Sequence, residues 1–581
     1  MSMAKHDASS SIDAVENAID GEVQNAMETV SDFIHVDNEG GFKSSLAALL
    51  RRIPKKAWFL MGLGVAGIIV TNGNIGNVKG HRKVLNIGSR ITNLFAKGGN
   101  RLRKNRHPSI CHYVQLKPDV YHFEDALYKR KFCAQDSFDV EKKITGFGSP
   151  DWENSHEPAI KTAPVLVKLR KAGATCIGKT IMDEMGFCLL GANRWLGTPE
   201  NPFSTSRICG GSSSGAAVSV GSKVVDFAIG IDTVGDVRVP AACCGVLGFR
   251  SSHGAISLEG TIPVASSFDA VGWFARNAGL LRLVGRQLCP HVVMDGKGPK
   301  RFYMAHDVFK LSAVSHLRTA DVLARSVQRT VGRHTLCNLN FIEYLEDHAP
   351  AIQTFKKELE RMGLDSSQYT ALDVLRESML LFQRHEFKGN HGEWIAKAKP
   401  YLTRTVESRV HKAVLLPDSE ALRVIAIQVR EEISSLMNNL LKNDAILVVP
   451  ALPSLPPKSA AVSNELETFE YKTQALMSLS SLSRCCQVMA SRIVFKAVRE
   501  TEVVIPVGRN ELPISVSLLA RNGADLLLLE TVMLLHTTIQ QEVLKKPIWN
   551  FCTNTEHTSV FKCKKEPSWK VCHTRSFLGS P

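Results

Sequence analysis

The chain has 581 residues, a formal net charge of +15 and a hydrophobic content of 44%. That apolar content is enough to bury a core, which excludes wholesale disorder. Its 41 glycines and 24 prolines are ordinary fractions and exclude collagen-like and low-complexity classes. The 14 cysteines show no regular spacing, which favours a reducing compartment over a secreted disulfide framework.

The positive charge is confined to one stretch of the chain. Residues 1–40 carry nine acids against Lys5 alone, whereas residues 42–118 carry fifteen Lys or Arg and no acid. From residue 119 onward the two signs nearly balance. A nucleic-acid interface needs basic side chains spread over one face of a folded domain. The sequence therefore predicts that the protein has no nucleic-acid partner.

The basic stretch surrounds an apolar run. Ala57–Val70 is unbroken by any polar residue, and as a helix it would rise about 21 Å, short of the ~30 Å hydrocarbon core. Thr71 to Ile75 can extend it. We predict an acidic N-terminal arm at 1–50, a transmembrane anchor at 57–72 and a basic linker at 73–118. A buried core helix or a signal-peptide core is the alternative, although the acidic arm before the run disfavours a signal peptide. Basic residues flank both ends, so the orientation stays open.

Residues 119–540 have the pattern of one α/β domain. A helix is predicted to begin at Pro164 and to end near Gly173, and Ala174–Ile177 follows as a buried strand. Further apolar strands are expected at 224–231, 445–449 and 514–519. Helices that alternate with buried strands favour a mixed, mostly parallel sheet covered by helices on both faces. Residues 541–581 are predicted to be an unstructured tail.

Three motif matches point to sites that we do not expect. Residues 173–180 fit the P-loop pattern letter for letter, but a helix precedes Gly173 and a strand fills the place of the phosphate cradle. His385 and His391 are six residues apart, so they would lie on different faces of a helix. The cysteines and histidines of the tail lack close ligand pairs. We therefore predict no cofactor and no metal site.

Two glycine-containing segments about twenty residues apart carry the strongest signal. Residues 209–217 read Cys-Gly-Gly-Ser-Ser-Ser-Gly-Ala-Ala, and residues 230–241 read Gly-Ile-Asp-Thr-Val-Gly-Asp-Val-Arg-Val-Pro-Ala. Cys244–Arg250 continues the match. Together these segments resemble the amidase signature family, and the resemblance covers roughly residues 119–540. It implies the amidase-signature fold and a catalytic relay of a lysine and two serines.

The resemblance implies that two members of the relay are replaced. The bridging serine falls on Ser212, but the nucleophile position is Asp236 and the lysine position is Gln135. Thr233, Val234 and Gly235 are the oxyanion-turn positions. An amide cannot act as a base, and a carboxylate is a poor nucleophile beside a turn meant for an oxyanion. We therefore predict no intact catalytic residue. Ser212–Ser214 is then a turn that packs the sheet edge, or part of a pocket that binds an amide without cleaving it.

Wider phrases resemble one plant branch of the family: residues 145–152, 179–184 and 254–276. That branch holds indole-acetamide hydrolases and the amidase-like receptor subunit of the chloroplast outer-envelope translocon, with a mitochondrial outer-membrane relative. The receptor-like members have a membrane anchor and a degenerate relay. The resemblance therefore implies a chloroplast outer-envelope location, or a mitochondrial outer-membrane one, with import-translocon subunits or preproteins as partners. The rival interpretation is an active amidase for indole-3-acetamide-like amides.

Three features depart from the receptor-like members. Their three C-terminal tetratricopeptide repeats would need about 102 residues, and only some forty follow the domain here, so we expect no chaperone docking. Residues 489–504 interrupt a stretch that is continuous in the family. The acidic residues 1–40 have no counterpart there.

Overall fold

A computed structural model of the chain describes residues 107–120, 122–289, 298–312, 316–415, 419–494 and 512–544. All of them belong to one compact unit, residues 105–581. The predicted arm and anchor, and the tail from residue 545, lie outside the described residues. Within the described ranges, no helix is both long enough and apolar enough to cross a membrane.

Eleven strands of the described part form a single sheet in the order β1-β3-β2-β4-β6-β5-β10-β11-β9-β7-β8. The strands are β1 (Ile110–His112), β2 (Lys131–Gln135), β3 (Thr175–Thr180), β4 (Phe227–Asp232), β5 (Leu247–Arg250), β6 (Ala270–Ala275), β7 (Arg301–Ala305), β8 (Leu336–Leu339), β9 (Ala445–Pro450), β10 (Cys486–Val494) and β11 (Pro513–Ala520).

The prediction of a mixed sheet is confirmed, but the expectation that it is mostly parallel is wrong. Six of the ten neighbouring pairs are antiparallel and four are parallel. The chain between β5 and β6, residues 251–269, contains no helix, so β6 returns antiparallel to β5. A strand covered by helices on both faces is apolar along its whole length, whether it pairs with its neighbours in a parallel or an antiparallel direction. The sequence pattern therefore cannot distinguish parallel from antiparallel pairing.

Fourteen α-helices of the described residues cover the sheet. They are α1 (Pro150–Ser155), α2 (Pro164–Lys171), α3 (Ser214–Gly221), α4 (Arg238–Cys243), α5 (Ala278–Leu288), α6 (His306–Lys310), α7 (His316–Thr330), α8 (Phe341–His348), α9 (Pro350–Arg361), α10 (Ala371–Ala398), α11 (Arg404–Leu415), α12 (Glu420–Leu440), α13 (Ser463–Ser483) and α14 (Asp525–Leu544). Two 3₁₀ helices span Glu184–Gly186 and Arg333–Thr335.

The sheet separates two apolar layers, as the alternation of side chains along a strand requires. In β4, Phe227, Ile229 and Ile231 pack in one layer and Ala228 in the other. The first layer is completed by α2, α5, α7 and α14, and the second by α3, α9, α10, α12 and α13. Helix α2 begins at Pro164 as predicted, because proline suits the first position of a helix. The expectation of helices on both faces is confirmed.

The α/β domain begins before residue 119, the boundary that was predicted from the sequence. The linker was expected to extend to residue 118, but Ile110–His112 pairs with β3 as the edge strand of the sheet. A three-residue strand with few apolar side chains gives too weak a pattern to predict. At the other end of the domain, the unstructured tail was predicted to begin at residue 541, but α14 extends to Leu544, so residues 541–544 are helical. Strand β10 continues to Val494, so the first residues of the segment 489–504 prolong that strand.

Candidate functional site

Three segments converge at one edge of the central strands. Gln135 ends β2, Ser212–Ser214 lead into α3, and residues 233–237 connect β4 to α4. Strands β2 and β4 are parallel neighbours, so their carboxyl ends lie at the same edge. Gly230 permits this close approach, because a Cβ atom there would lie 2.5 Å from Ser213 Oγ and 3.0 Å from Gln135 Oε1. The predicted relay positions are thus brought to one place.

Gln135 is held by two hydrogen bonds to its side-chain oxygen. Ser213 Oγ donates to Gln135 Oε1 at 2.8 Å, and the Ile231 N–H donates to the same oxygen at 2.8 Å. The partner of Gln135 is therefore Ser213, a serine to which the sequence interpretation gave no role. An amide oxygen that accepts two hydrogen bonds fixes the position of Ser213, but it cannot remove a proton.

Ser212 follows a cis peptide bond after Gly211. Its carbonyl oxygen accepts a hydrogen bond from the Asp183 N–H at 3.0 Å. Gly211 allows the approach of Asp183, since a Cβ atom at this position would lie 2.2 Å from Asp183 Oδ2. Ser212, Ser213 and Ser214 are all buried, and Ser213 and Ser214 bond to neighbouring segments of the chain. The three serines are thus an integral part of the packed turn.

The Asp236 side chain occupies the turn in which the oxyanion-turn positions lie. Its Oδ2 accepts hydrogen bonds from the Thr233 N–H and the Val234 N–H, both at 2.9 Å. The third turn position differs, because the Gly235 N–H donates to Asp232 Oδ1 at 3.2 Å. The amides at two of the three predicted oxyanion-turn positions are therefore bonded to the Asp236 carboxylate, and the third is bonded to Asp232.

Burial raises the pKa of Asp236 to about 6, and the neighbouring Asp232 carboxylate adds to the rise. The N–H groups of Val234 and Thr233, together with the Ser212 hydroxyl, oppose it by favouring the charged form. Asp236 is only 1% exposed. A pKa of about 6 leaves the group mostly ionised at neutral pH, so the turn holds a negative charge there.

Asp232, at the end of β4, stabilises the turn that follows this strand. Its carboxylate accepts from the Val237 N–H at 3.0 Å and contacts the guanidinium groups of Arg238 at 2.8 Å and Arg250 at 2.9 Å. Although burial opposes ionisation, the two arginines hold the pKa of Asp232 well below its usual value. Arg238 also donates to the Met477 carbonyl at 2.9 Å, which ties the turn to α13.

The residues of the P-loop match and of the histidine pair make contacts within the folded domain. Lys179 of the P-loop match lies in β3, is fully buried and pairs with Asp136 at 2.6 Å. On α10, His391 is buried with its Nε2 2.7 Å from the Pro263 carbonyl, whereas the exposed His385 lies beside Arg423. Sequence reasoning also missed a group of possible metal ligands, Cys111, His112 and Asp136. Their association depends on contacts between distant parts of the chain.

A family model described as Amidase matches residues 132–529, more than half of the chain. This chain belongs to the amidase family. Among solved structures with the amidase fold, a crystal structure of an amidase aligns with a TM-score of 0.56 and 21% identity over 71% of this chain and 85% of that one. A 6-aminohexanoate cyclic dimer hydrolase aligns with a TM-score of 0.55 and 18% identity over 76% of this chain and 91% of the other. At such identities these structures show the fold alone.

The curated relatives that match about 70% or more of this chain fall into two groups. Chloroplastic outer envelope protein 64 of Arabidopsis thaliana is 40% identical over 71% of this chain and 66% of its own length. Translocon at the outer membrane of chloroplasts 64 of Pisum sativum is 37% identical over 71% of this chain and 66% of that protein. Amidase 1 of Arabidopsis thaliana is 40% identical over 69% of this chain and 91% of its own length. The chain thus spans just under two thirds of the length of these two outer-membrane relatives, and sequence identity does not separate the two groups.

The charge that Asp236 carries inside the protein should cost stability at neutral pH. Its pKa of about 6 exceeds the value of roughly 3.9 expected for an unfolded chain, so between those values the folded state binds more protons and stability falls as pH rises. Asp236→Asn keeps the shape without the charge. We expect it to raise the free energy of unfolding by on the order of 1–3 kcal/mol at pH 7.5 and to lose this advantage at pH 4, as measured by thermal unfolding.

Asp119→Asn is the control, because the Asp119 side chain is 82% exposed. It should shift the unfolding temperature little at either pH. If Asp236→Asn were destabilising to the same extent at both pH values, the buried charge would not be the origin of its effect.

Proposed function

We propose that this protein is a catalytically inactive amidase-fold protein of an organelle outer membrane, where it binds preproteins or import-translocon subunits. The chloroplast outer envelope is the favoured location and the mitochondrial outer membrane the second. The occupied oxyanion turn carries the first part of this proposal. The names of the outer-membrane relatives and the apolar segment at 57–72 support the second part.

Inactivity follows from the Asp236 contacts. A tetrahedral intermediate needs donors aimed at its oxyanion, and removal of a single donor commonly costs on the order of 10²–10³ in rate. Here the Thr233 and Val234 N–H groups both donate to Asp236 Oδ2. A substrate would have to displace a buried carboxylate from two hydrogen bonds and then place its own negative charge beside it. Repulsion between the two charges opposes that step.

The replacement at Gln135 removes the base independently of Asp236. A buried lysine can lose its charge through desolvation and then accept a proton. The Gln135 side chain accepts hydrogen bonds through Oε1, and it has no ionisable group. Either replacement alone would abolish the relay, and members of such a relay do not contribute additively.

An active amidase is the second candidate, and one observation favours it. The Ser212 hydroxyl faces the Asp236 carboxylate and favours its charged form, so Asp236 could act as the base for a Ser212 nucleophile on an indole-3-acetamide-like amide. The similarity to Amidase 1 of Arabidopsis thaliana agrees with such a reaction. Against it, the same carboxylate occupies the two turn amides, so the base would block the oxyanion site that the reaction needs.

Two substitutions should restore amidase activity if the rest of the site has kept its shape. We expect the wild-type chain to show no hydrolysis of indole-3-acetamide and no labelling by a fluorophosphonate probe. The double variant Gln135→Lys with Asp236→Ser restores a base and a nucleophile and frees the Thr233 and Val234 amides. It should be labelled at residue 236 and should hydrolyse the amide at least tenfold above the wild-type background.

Gln135→Lys combined with Asp236→Ala is the matched control, since it frees the turn without supplying a nucleophile and should stay inactive. If wild-type protein hydrolysed the amide and Ser212→Ala abolished that activity, the second candidate would replace the first. A folded double variant without activity would show that more of the site has changed than the relay.

Membrane attachment is tested separately from catalysis. After expression in plant cells, the full chain should remain in the membrane pellet after extraction with alkaline carbonate, because the apolar segment at 57–72 would hold it in the bilayer. A variant with Gly64→Arg and Ile68→Arg within that segment should be released into the supernatant, with Lys79→Arg outside the segment as the control. Release of the wild-type chain would contradict the anchor.

A further inference from the structure

Three possible metal ligands meet beside the edge strand, and a fourth side chain, Glu153, lies close to one of them. Cys111 and His112 belong to β1, Asp136 follows β2, and Glu153 lies on α1. The ligand atoms of Cys111, His112 and Asp136 all lie within 4.8 Å of one another. His112 Nε2 is 3.7 Å from Asp136 Oδ2 and 3.9 Å from Glu153 Oε1. Three separate parts of the sequence thus supply sulfur, nitrogen and oxygen donors to one place.

An irregularity in β1 explains how two consecutive residues reach the same site. In a regular strand neighbouring side chains point to opposite faces. Strand β1 shifts its register against β3 between Ile110 and His112, and such a shift re-aims a side chain. The Cys111 thiol therefore lies near the His112 ring, and it donates a hydrogen bond to the Lys179 carbonyl at 3.3 Å.

The neighbours of Asp136 hold one of its carboxylate oxygens and leave the other one available to bind a metal ion. Its Oδ1 lies 2.6 Å from the Lys179 ammonium and accepts from the Gly146 N–H at 3.2 Å. Its Oδ2 is buried and has no hydrogen-bond partner among the residues that the structure describes. A buried carboxylate oxygen without a partner is costly. This oxygen faces His112 Nε2, so a cation between the two would satisfy it.

We propose that Cys111, His112, Asp136 and Glu153 bind a zinc ion. Thiolate, imidazole and carboxylate are the ligands of zinc sites, and tetrahedral ligands at roughly 2.0–2.3 Å from the ion lie roughly 3.3–3.7 Å apart. The ligand atoms of Cys111, His112 and Asp136, all within 4.8 Å of one another, would move closer together as the ion binds, and Glu153, 3.9 Å from His112 Nε2, would approach as the fourth ligand. The three anionic ligands balance the charges of the zinc ion and of the Lys179 ammonium, which holds the other oxygen of Asp136 as an outer partner of the site.

The site is open to solvent on one side. The His112 side chain is 34% exposed and that of Glu153 is 38% exposed, whereas Asp136 is 1% exposed. Zinc can therefore enter past His112 and Glu153. When it binds, the Cys111 thiol gives its proton to solvent and the sulfur becomes a ligand. The ion would connect the edge strand β1 to the end of β2 and to α1, which makes this a structural site separate from any amide chemistry.

The test measures zinc in the purified full chain and in two single variants. Each protein is stripped with a chelator, incubated with zinc sulfate, passed through a gel-filtration column and analysed for zinc by mass spectrometry. We expect Cys111→Ser and His112→Asn each to hold one zinc ion fewer per chain than the wild type at limiting free zinc. Competition with a chromogenic chelator should show at least a tenfold weaker affinity at this site.

Cys337→Ser is the matched control, since Cys337 is also half-buried but lies on β8 at the opposite edge of the sheet. It should bind as much zinc as the wild type. Cobalt supplies a second readout, because its thiolate charge-transfer absorption should fall on Cys111→Ser and persist in Cys337→Ser. Equal zinc content in the wild type, Cys111→Ser and His112→Asn, with all three folded by circular dichroism, would overturn the proposal.

Discussion

The buried Asp232 carboxylate is the constraint on which the site depends. It lies between the guanidinium groups of Arg238 and Arg250 and accepts hydrogen bonds from the backbone of the turn that follows β4. Loss of one partner from such a group leaves uncompensated charge in the interior, which is strongly destabilising. The network therefore preserves the shape of the turn whether or not the turn performs chemistry.

Within that fixed turn, the identity of residue 236 decides what its amides do. A serine hydroxyl would leave the Thr233 and Val234 N–H groups available, whereas the longer carboxylate of Asp236 reaches back and accepts from both. The carboxylate at residue 236 thus occupies both of these amides of the turn. Nearby, Gln135 Oε1 accepts hydrogen bonds from Ser213 Oγ and from the Ile231 N–H of β4. The turn remains a packed part of the protein.

Local features were predictable from the sequence and long-range ones were not. The helix that begins at Pro164 and the strands near 175 and 445 follow from short-range patterns, and the structure confirms them. The family resemblance of the glycine-containing segments placed residues 212 and 236 in one site, and the Ser212 hydroxyl does interact with the Asp236 carboxyl group. The relative direction of the central strands was mispredicted, because strands buried on both faces have the same apolar sequence pattern in parallel and in antiparallel sheets. That Gln135 contacts Ser213 rather than Ser212 depends on the backbone path of the turn, and the cluster around Asp136 depends on the shifted register of β1.

The central claim is that the Asp236 carboxylate occupies the oxyanion turn at neutral pH. A high-resolution crystal structure of the full chain, grown at pH 7 to 7.5 and soaked with an amide, tests this most directly. We expect Asp236 Oδ2 to lie within hydrogen-bond distance of both the Thr233 and Val234 nitrogens, with no substrate amide oxygen in the turn. An Asp236 side chain rotated away, with the amide oxygen bonded to those two nitrogens, would contradict it.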